Sequence, residues 1–344
     1  MLDTIHKILA RSLADRGLDW RSCYVYVHPE APDGRVFTVE CTDGEILDDL
    51  KRELGDTAAV RLVSLPDPES GLPEQYVVLT SVADVRKKPS HAAELITQVI
   101  GGYAVTPIKT DGDWILCRMD DAYIGWIRSW CLKSFSIKEL RAFEEKARHR
   151  VRDNVIKILD SPELGGLPVC DAVSGTRMAA MPCGRRGWRA VEVADGREGF
   201  VRADGLEPVP RTRRVSRRKL RDTGLRFLGI PYVWGGTSTK GFDCSGLIQH
   251  VFRLNGMLIP RDSDQQSRFG SKKSVDDISA LDTGDLLFFG KSVSQISHVA
   301  MYLSDGVFLH SHGQVRLNAL VLGDRLYDDK LVGEWKTTRD PLKL

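Results

Sequence analysis

Tyr232-Val233-Trp234-Gly235-Gly236 and, after a short polar turn, Phe242-Asp243-Cys244-Ser245-Gly246 form the stretch on which the reading of the chain turns. After Cys244 the apolar residues Leu247, Ile248, Val251, Phe252 and Leu254 recur at helical spacing, and Asn255-Gly256 is a stop signal. A helix is therefore expected to open at the cysteine, with Asp243 as its N-cap. A helix N-terminus offers unpaired backbone N–H groups and the positive end of the dipole, and both favour thiolate over thiol. Beside a histidine, such placement lowers a cysteine pKa from about 8.5 to roughly 3.5–7.5. By residue type alone a buried cysteine is a small apolar filler; the flanking pattern sets this one apart.

Upstream, a basic helix over 217–228 runs into Gly229-Ile230-Pro231, where it must stop. Downstream, strands are expected at 286–289, 299–303 and 307–310. Asp305-Gly306 turns the last two into a hairpin, with His298 just before one strand and His310 ending the other. Their pairing would set the two imidazoles side by side. His312 shares the face of His310 by strand alternation and competes for the same place. A zinc site built from His298, His310 and Cys244 would lack a further ligand at suitable spacing, so no metal is expected. The other histidines, at 6, 28, 91, 149 and 250, read as surface or packing residues.

These motifs, with Ile259-Pro260-Arg261-Asp262-Ser263-Asp264-Gln265-Gln266, Gly284-Asp285-Leu286-Leu287-Phe288-Phe289, Ile296-Ser297-His298-Val299-Ala300-Met301-Tyr302 and Phe308-Leu309-His310-Ser311, resemble the NlpC family of papain-like cell-wall peptidases. The resemblance covers most of residues 212–344. It implies that Cys244 is the nucleophile, His298 its general base and His310 the residue that orients the base. It implies an oxyanion met by the Cys244 N–H and the Tyr232 phenol. The family cuts the bond between γ-D-glutamate and a diamino acid, meso-diaminopimelate or lysine. Asp262 matches the position that holds the substrate α-amine, Ser245 and Ser263 are candidates for the D-glutamate carboxylate, and Asp243 would both cap the helix and line the site. For Arg261 a structural ion pair is favoured over substrate contact.

Further upstream the chain repeats itself. Asp113-Trp114 is followed by Gly125-Trp126, and Gly187-Trp188 by Gly199-Phe200, with the same separation. Strands are expected at 76–79, 95–99, 104–106, 114–118 and 125–127. Val85-Arg86-Lys87-Lys88-Pro89-Ser90, Asp111-Gly112-Asp113-Trp114 and Tyr123-Ile124-Gly125-Trp126-Ile127 resemble a bacterial SH3-like domain. This gives domains at 74–135 and 152–208, joined by a charged helix over 136–151. Residues 1–70 read as a small α/β unit (helix 5–13, strands 23–27 and 36–41, helix 45–54, strand 58–65) that packs on the first SH3-like domain and helps wall off the cleft. The expected class is α+β: a small N-terminal unit, two SH3-like barrels and a papain-like domain at 212–344.

Two SH3-like domains ahead of an NlpC domain resemble the cytoplasmic recycling enzymes of that family. These act on murein peptides with a free N-terminal L-Ala and release L-Ala-γ-D-Glu; the first SH3-like domain helps bind the amine, for which Glu94 and Tyr123 are the candidates. Composition agrees with a soluble catalyst. The net charge is +2 over 344 residues, so no nucleic-acid partner is expected, and the basic cluster at 211–221 reads as linker and helix start. No stretch is long and apolar enough for a membrane. The start lacks the pattern of an export signal, and seven scattered cysteines fit neither a disulfide framework nor a zinc cluster. A cytoplasmic location without cofactor is the expectation. The competing readings are an exported wall hydrolase, a wall-binding adaptor with an inert last domain, and a papain-like acyltransferase or amidase on another substrate.

Overall fold

Helix and strand periodicity in the sequence becomes thirty-two helices and strands in the computed structural model, which describes residues 1–30, 36–55, 57–210, 215–275 and 277–343. Internal contacts divide the chain into two units. One comprises Met1–Val77, Arg86–Ala93 and Ala104–Leu140; the other comprises Val78–Val85, Glu94–Tyr103 and Arg141–Leu344.

The first unit opens with α1 (Leu2–Asp15), β1 (Val25–Pro29), β2 (Phe37–Cys41), α2 (Gly44–Leu54) and β3 (Val60–Ser64). β1 and β2 pair antiparallel, and β2 and β3 pair parallel across α2. Asp43 caps α2 by accepting from the Ile46 N–H. Ile5, Ile8 and Leu9 meet Ile46, Leu47 and Leu50 in the core, as the 3.6 periodicity requires. Next along the chain come β4 (Gln75–Val78), β5 (Val82–Arg86), β6 (Leu95–Ile100), β7 (Ala104–Asp111), β8 (Trp114–Arg118), β9 (Ile124–Arg128) and β10 (Leu132–Phe135). β5 and β10 had not been expected; in β5 only Ala83 and Val85 are buried, too short an alternation to stand out. Tyr24, Val63 and Leu65 share one core with Ile108, Trp114, Leu116, Ile124 and Trp126. Within this unit the N-terminal elements therefore do pack on the tryptophan hairpin.

α3 (Ile137–Lys146) leads to β11 (His149–Val151), β12 (Val155–Leu159), β13 (Pro168–Val173), β14 (Arg177–Pro182), β15 (Trp188–Glu192), β16 (Glu198–Arg202) and β17 (Leu206–Pro208). These seven strands form one sheet in the order β13-β12-β16-β15-β14-β11-β17. The repeat seen in the sequence recurs in the hairpin register. Trp114 faces Arg128 and Leu116 faces Trp126 across β8 and β9; Trp188 faces Arg202 and Ala190 faces Phe200 across β15 and β16. In both hairpins the arginine lies over the tryptophan ring, at 5.1 and 5.9 Å, and a 3₁₀ turn follows (Ser129–Cys131 and Ala203–Gly205).

Residues 211–214, the start of the basic cluster, lie outside the described residues. α4 (Arg217–Leu225) ends three residues sooner than expected, because Arg226 to Leu228 form turns that seat Phe227 in the core. Then come β18 (Thr237–Ser238), β19 (Gly241–Phe242), α5 (Cys244–Leu254), α6 (Ser263–Gln266), β20 (Ser271–Lys273), β21 (Leu286–Gly290), β22 (Ile296–Ser304), β23 (Val307–His312), β24 (Gln314–Ala319), α7 (Asp329–Glu334) and β25 (Trp335–Asp340). The sheet order is β20-β25-β21-β22-β23-β24. Alternation along β21 and β22 sorts the faces: Leu286, Phe288, Val299, Met301 and Leu303 pack with α5, while Leu287, Phe289, Ala300 and Tyr302 pack with Leu331, Val332 and Trp335.

α5 is buried on every side except at Arg253, which places His250 in the interior. Its ring lies 5.4 Å from that of Phe227 and 5.3 Å from that of Phe242. Among the described residues its Nε2 has no hydrogen-bond partner. Burial first, then the charges of Arg253, Arg150 and Arg226, push its pKa down to about 3. Below an unfolded value of about 6.5 the unfolded chain takes up a proton that the folded chain refuses, so stability falls as the pH drops from there toward 3. His250→Phe should lower the slope of unfolding free energy against pH between about pH 6 and 4.5 by close to one proton, or about 1.4 kcal/mol per pH unit. Urea unfolding across that range checks this; an unchanged slope would contradict a neutral His250.

Candidate active site

Cys244 is the first residue of α5 and is 8% exposed. The helix starts there because Asp243 is extended and its carboxylate accepts from the Gly246 N–H at 2.6 Å. A Cβ on Gly246 would run into the Gly236 carbonyl oxygen, and Gly235, with φ +75°, passes directly over the Leu95 carbonyl. The glycines of the opening motif thus let three backbone segments close on one another.

Asp243 is held in turn. Arg261, 1% exposed, donates from Nη2 to Asp243 Oδ2 at 2.5 Å, from Nη1 to Asp243 Oδ1 at 3.2 Å and to Ser245 Oγ at 2.9 Å, and from Nε to Thr97 Oγ1 at 2.9 Å. The ion-pair reading of Arg261 matches this geometry. Ser245 also donates to Asp243 at 3.3 Å, so both residues belong to the buried arginine network. Asp262 and Ser263 open α6, where Asp262 forms a capping box with Gln265 and lies 3.8 Å from Arg261. Gln266, fully buried, donates to the carbonyls of Ser245 and Pro260.

His298 is the third residue of β22 rather than its forerunner, and His310 lies within β23. The Nε2 of His298 and the Nδ1 of His310 are 2.8 Å apart. His312 is exposed, its ring 6.1 Å from that of His298; the hydrogen bond goes to His310. The Nε2 of His310 lies 3.0 Å from Asn318 Oδ1, and Asn318 donates from Nδ2 to the Leu326 carbonyl at 2.9 Å. Asn318 had no signal of its own in the sequence. It could have been placed only through the tight turn at Gly313, which pairs His310 with Arg316 and Phe308 with Asn318. The Val299 N–H, next to His298, and the Ser245 N–H pull the Cys244 pKa down.

Electrostatics reverses one expectation. Burial, then the Asp243 carboxylate, pushes the Cys244 thiol up to about 12, against the weaker pull of the two N–H donors and Arg261. Burial pushes His298 down to about 3 and His310 down to about 4. These directions favour a neutral thiol and neutral imidazoles in the resting site. Tyr232, half-buried, is pushed up to about 12 by burial and by Cys244 and Asp243, so its phenol keeps its proton.

Of the candidates from the SH3-like region, Glu94 falls in the second unit and accepts from the Trp234 Nε1–H at 3.1 Å. Tyr123 falls in the first unit, buried and edge-on to Trp20 at 6.0 Å. Asp282, Asp285 and Asp340, the carboxylates that come together among the described residues, are compensated by Arg217 and Lys273.

A cysteine at a helix start and a hydrogen-bonded histidine pair on the adjoining sheet define a cysteine peptidase. The comparisons agree. Residues 229–336 match the NlpC/P60 family, and residues 85–130 match the bacterial dipeptidyl-peptidase Sh3 domain. Dipeptidyl-peptidase 6 of Lysinibacillus sphaericus is 28% identical over 74% of this chain and 95% of its own. The γ-D-glutamyl-L-lysine dipeptidyl-peptidase of Bacillus subtilis (strain 168) is 30% identical over 68% of this chain and 78% of its own. The crystal structure of an NlpC/P60 family protein from Bacillus cereus ATCC 10987 shares the fold, with TM-score 0.65, 23% identity, and coverage of 78% of this chain and 99% of that one. The chain belongs to the NlpC/P60 family.

Two measurements test this site. Removing one partner of a buried ion pair costs about 3–5 kcal/mol, so Arg261→Met should lose that much in urea unfolding, and adding Asp243→Asn should recover part of it; equal losses would mean that the pair does not hold the helix start. With a neutral resting thiol, the rate of Cys244 alkylation by iodoacetamide should climb steadily from about pH 6 to 9. A flat rate there would indicate a preformed thiolate.

Proposed function

We propose that the chain hydrolyses the γ-D-glutamyl–diamino acid bond of murein stem peptides with a free N-terminal L-Ala, releasing L-Ala-γ-D-Glu in the cytoplasmic recycling of cell-wall peptides. The observation that carries this reading is the bonded His298–His310 pair on the strands beside Cys244, in a chain similar over most of its length to γ-D-glutamyl-L-lysine dipeptidyl-peptidases. Cys244 is the nucleophile, His298 the base and His310 its orienting partner. As the thiol attacks the amide carbon, its proton passes to His298, which then returns it to the leaving amine; water hydrolyses the acyl-enzyme with His298 again as base. The Cys244 N–H and the protonated Tyr232 phenol meet the oxyanion.

Asp262, Ser263 and Glu94 are the proposed contacts to the substrate amine and carboxylate. Asp243 and Ser245 act through the buried arginine network at the start of α5. The test is mass spectrometry of L-Ala-γ-D-Glu-meso-diaminopimelate and its N-acetylated form after incubation with the enzyme. Cleavage of the free peptide alone, abolished in Cys244→Ala, is expected. Equal cleavage of both would exclude recognition of the amine, and cleavage of neither would sink the substrate assignment.

A further inference from the structure

The hydrogen bonds that run from His298 through His310 and Asn318 to the main chain have only one possible direction. The Leu326 carbonyl can only accept, and it already receives the Ala319 N–H as well as the Asn318 side chain. Asn318 must therefore turn its NH₂ toward Leu326 and its oxygen toward His310. That oxygen can only accept, so the proton between them sits on His310 Nε2. A neutral imidazole carries one ring proton, which leaves His310 Nδ1 as an acceptor. His298 must then donate from Nε2, and its Nδ1 is bare. His310, fully buried and held neutral, cannot escape this logic by carrying both protons.

We propose that Asn318 is a positioning residue for catalysis: it fixes the tautomers of His310 and His298, so that His298 Nδ1 is always free to take the Cys244 proton. This rests on the reading that Cys244 and His298 perform the chemistry. In the step it serves, the S–H bond breaks, the proton forms a bond to His298 Nδ1, and the sulfur pair forms the bond to the carbonyl carbon as the C=O pair moves to oxygen. The imidazolium so formed already donates from Nε2 to His310, so no second proton moves. Without Asn318, His310 can present Nδ1–H to His298 and hold it in the tautomer that cannot accept from the thiol. Register explains why the residue at 318 does this: it sits diagonally across from His310 on the neighbouring strand, with its side chain buried on the same face.

Ring-nitrogen NMR of the isotope-labelled full chain at neutral pH tests this directly. The proposal expects His298 and His310 both protonated at Nε2 and bare at Nδ1. A proton on His298 Nδ1 in the wild type would overturn it, whatever the variants do. Asn318→Ala should give mixed tautomers and lower kcat by about 10- to 100-fold, the range for partners that orient metal-bound histidines, with KM unchanged. Asn318→Asp, whose carboxylate can also only accept from His310, should restore the tautomers and part of kcat. Wild-type kcat in a folded Asn318→Ala would overturn the proposal. Alkylation of Cys244 by iodoacetamide should slow in parallel; this readout needs no peptide substrate, so a wrong substrate assignment would leave it intact.

Discussion

The buried contact between Arg261 and Asp243 is the constraint on which the catalytic domain is assembled. A guanidinium shut away from water needs a carboxylate and further acceptors, and here they come from two places in the chain: Asp243 and Ser245 at the start of α5, and Thr97 on β6. Asp243 is at once the counter-ion of Arg261 and the cap of α5, so the charge pair and the helix start cannot move independently. Cys244 follows Asp243 and inherits that position. Around this point the chain is threaded too tightly for side chains, which is why glycine stands at 235, 236 and 246.

Burial governs the chemistry as well as the geometry. The same exclusion of water that steadies the network makes charge costly at Cys244, His298 and His310 alike. In the proposed mechanism, proton movement is then coupled to attack on the substrate, and the tautomeric state of the histidines matters more than their charge. The dipole of α5 and the Val299 and Ser245 N–H groups act on the charge that develops as the thiol loses its proton.

Most of the site was legible in the sequence because its signals are local. A cap and a helix period place a helix start at Cys244, and an Asp-Gly turn pairs the strands that carry His298 and His310; the roles of the three come from the family resemblance. The tandem tryptophan hairpins were legible for the same reason, since the repeat fixes both copies. What could not be read depended on burial or on long-range register. The raised thiol pKa reflects desolvation that no motif encodes; β5 carries an alternation too brief to stand out; and Asn318 acquires its neighbours only once β23 and β24 are paired. Helix α4 stops early because Phe227 is drawn into the core, an outcome set by packing rather than by Pro231.

The chain of bonds behind His298 ends on a main-chain oxygen, and this bears on how the site can change over evolutionary time. Every amino acid at position 326 supplies that carbonyl, so the atom that fixes the direction of the relay is immune to substitution at its own codon. Drift in the loop around Leu326 can reshape what lies beyond the sheet while leaving the relay intact. The sensitivity is concentrated instead in the side chain at 318, which must present an acceptor to His310.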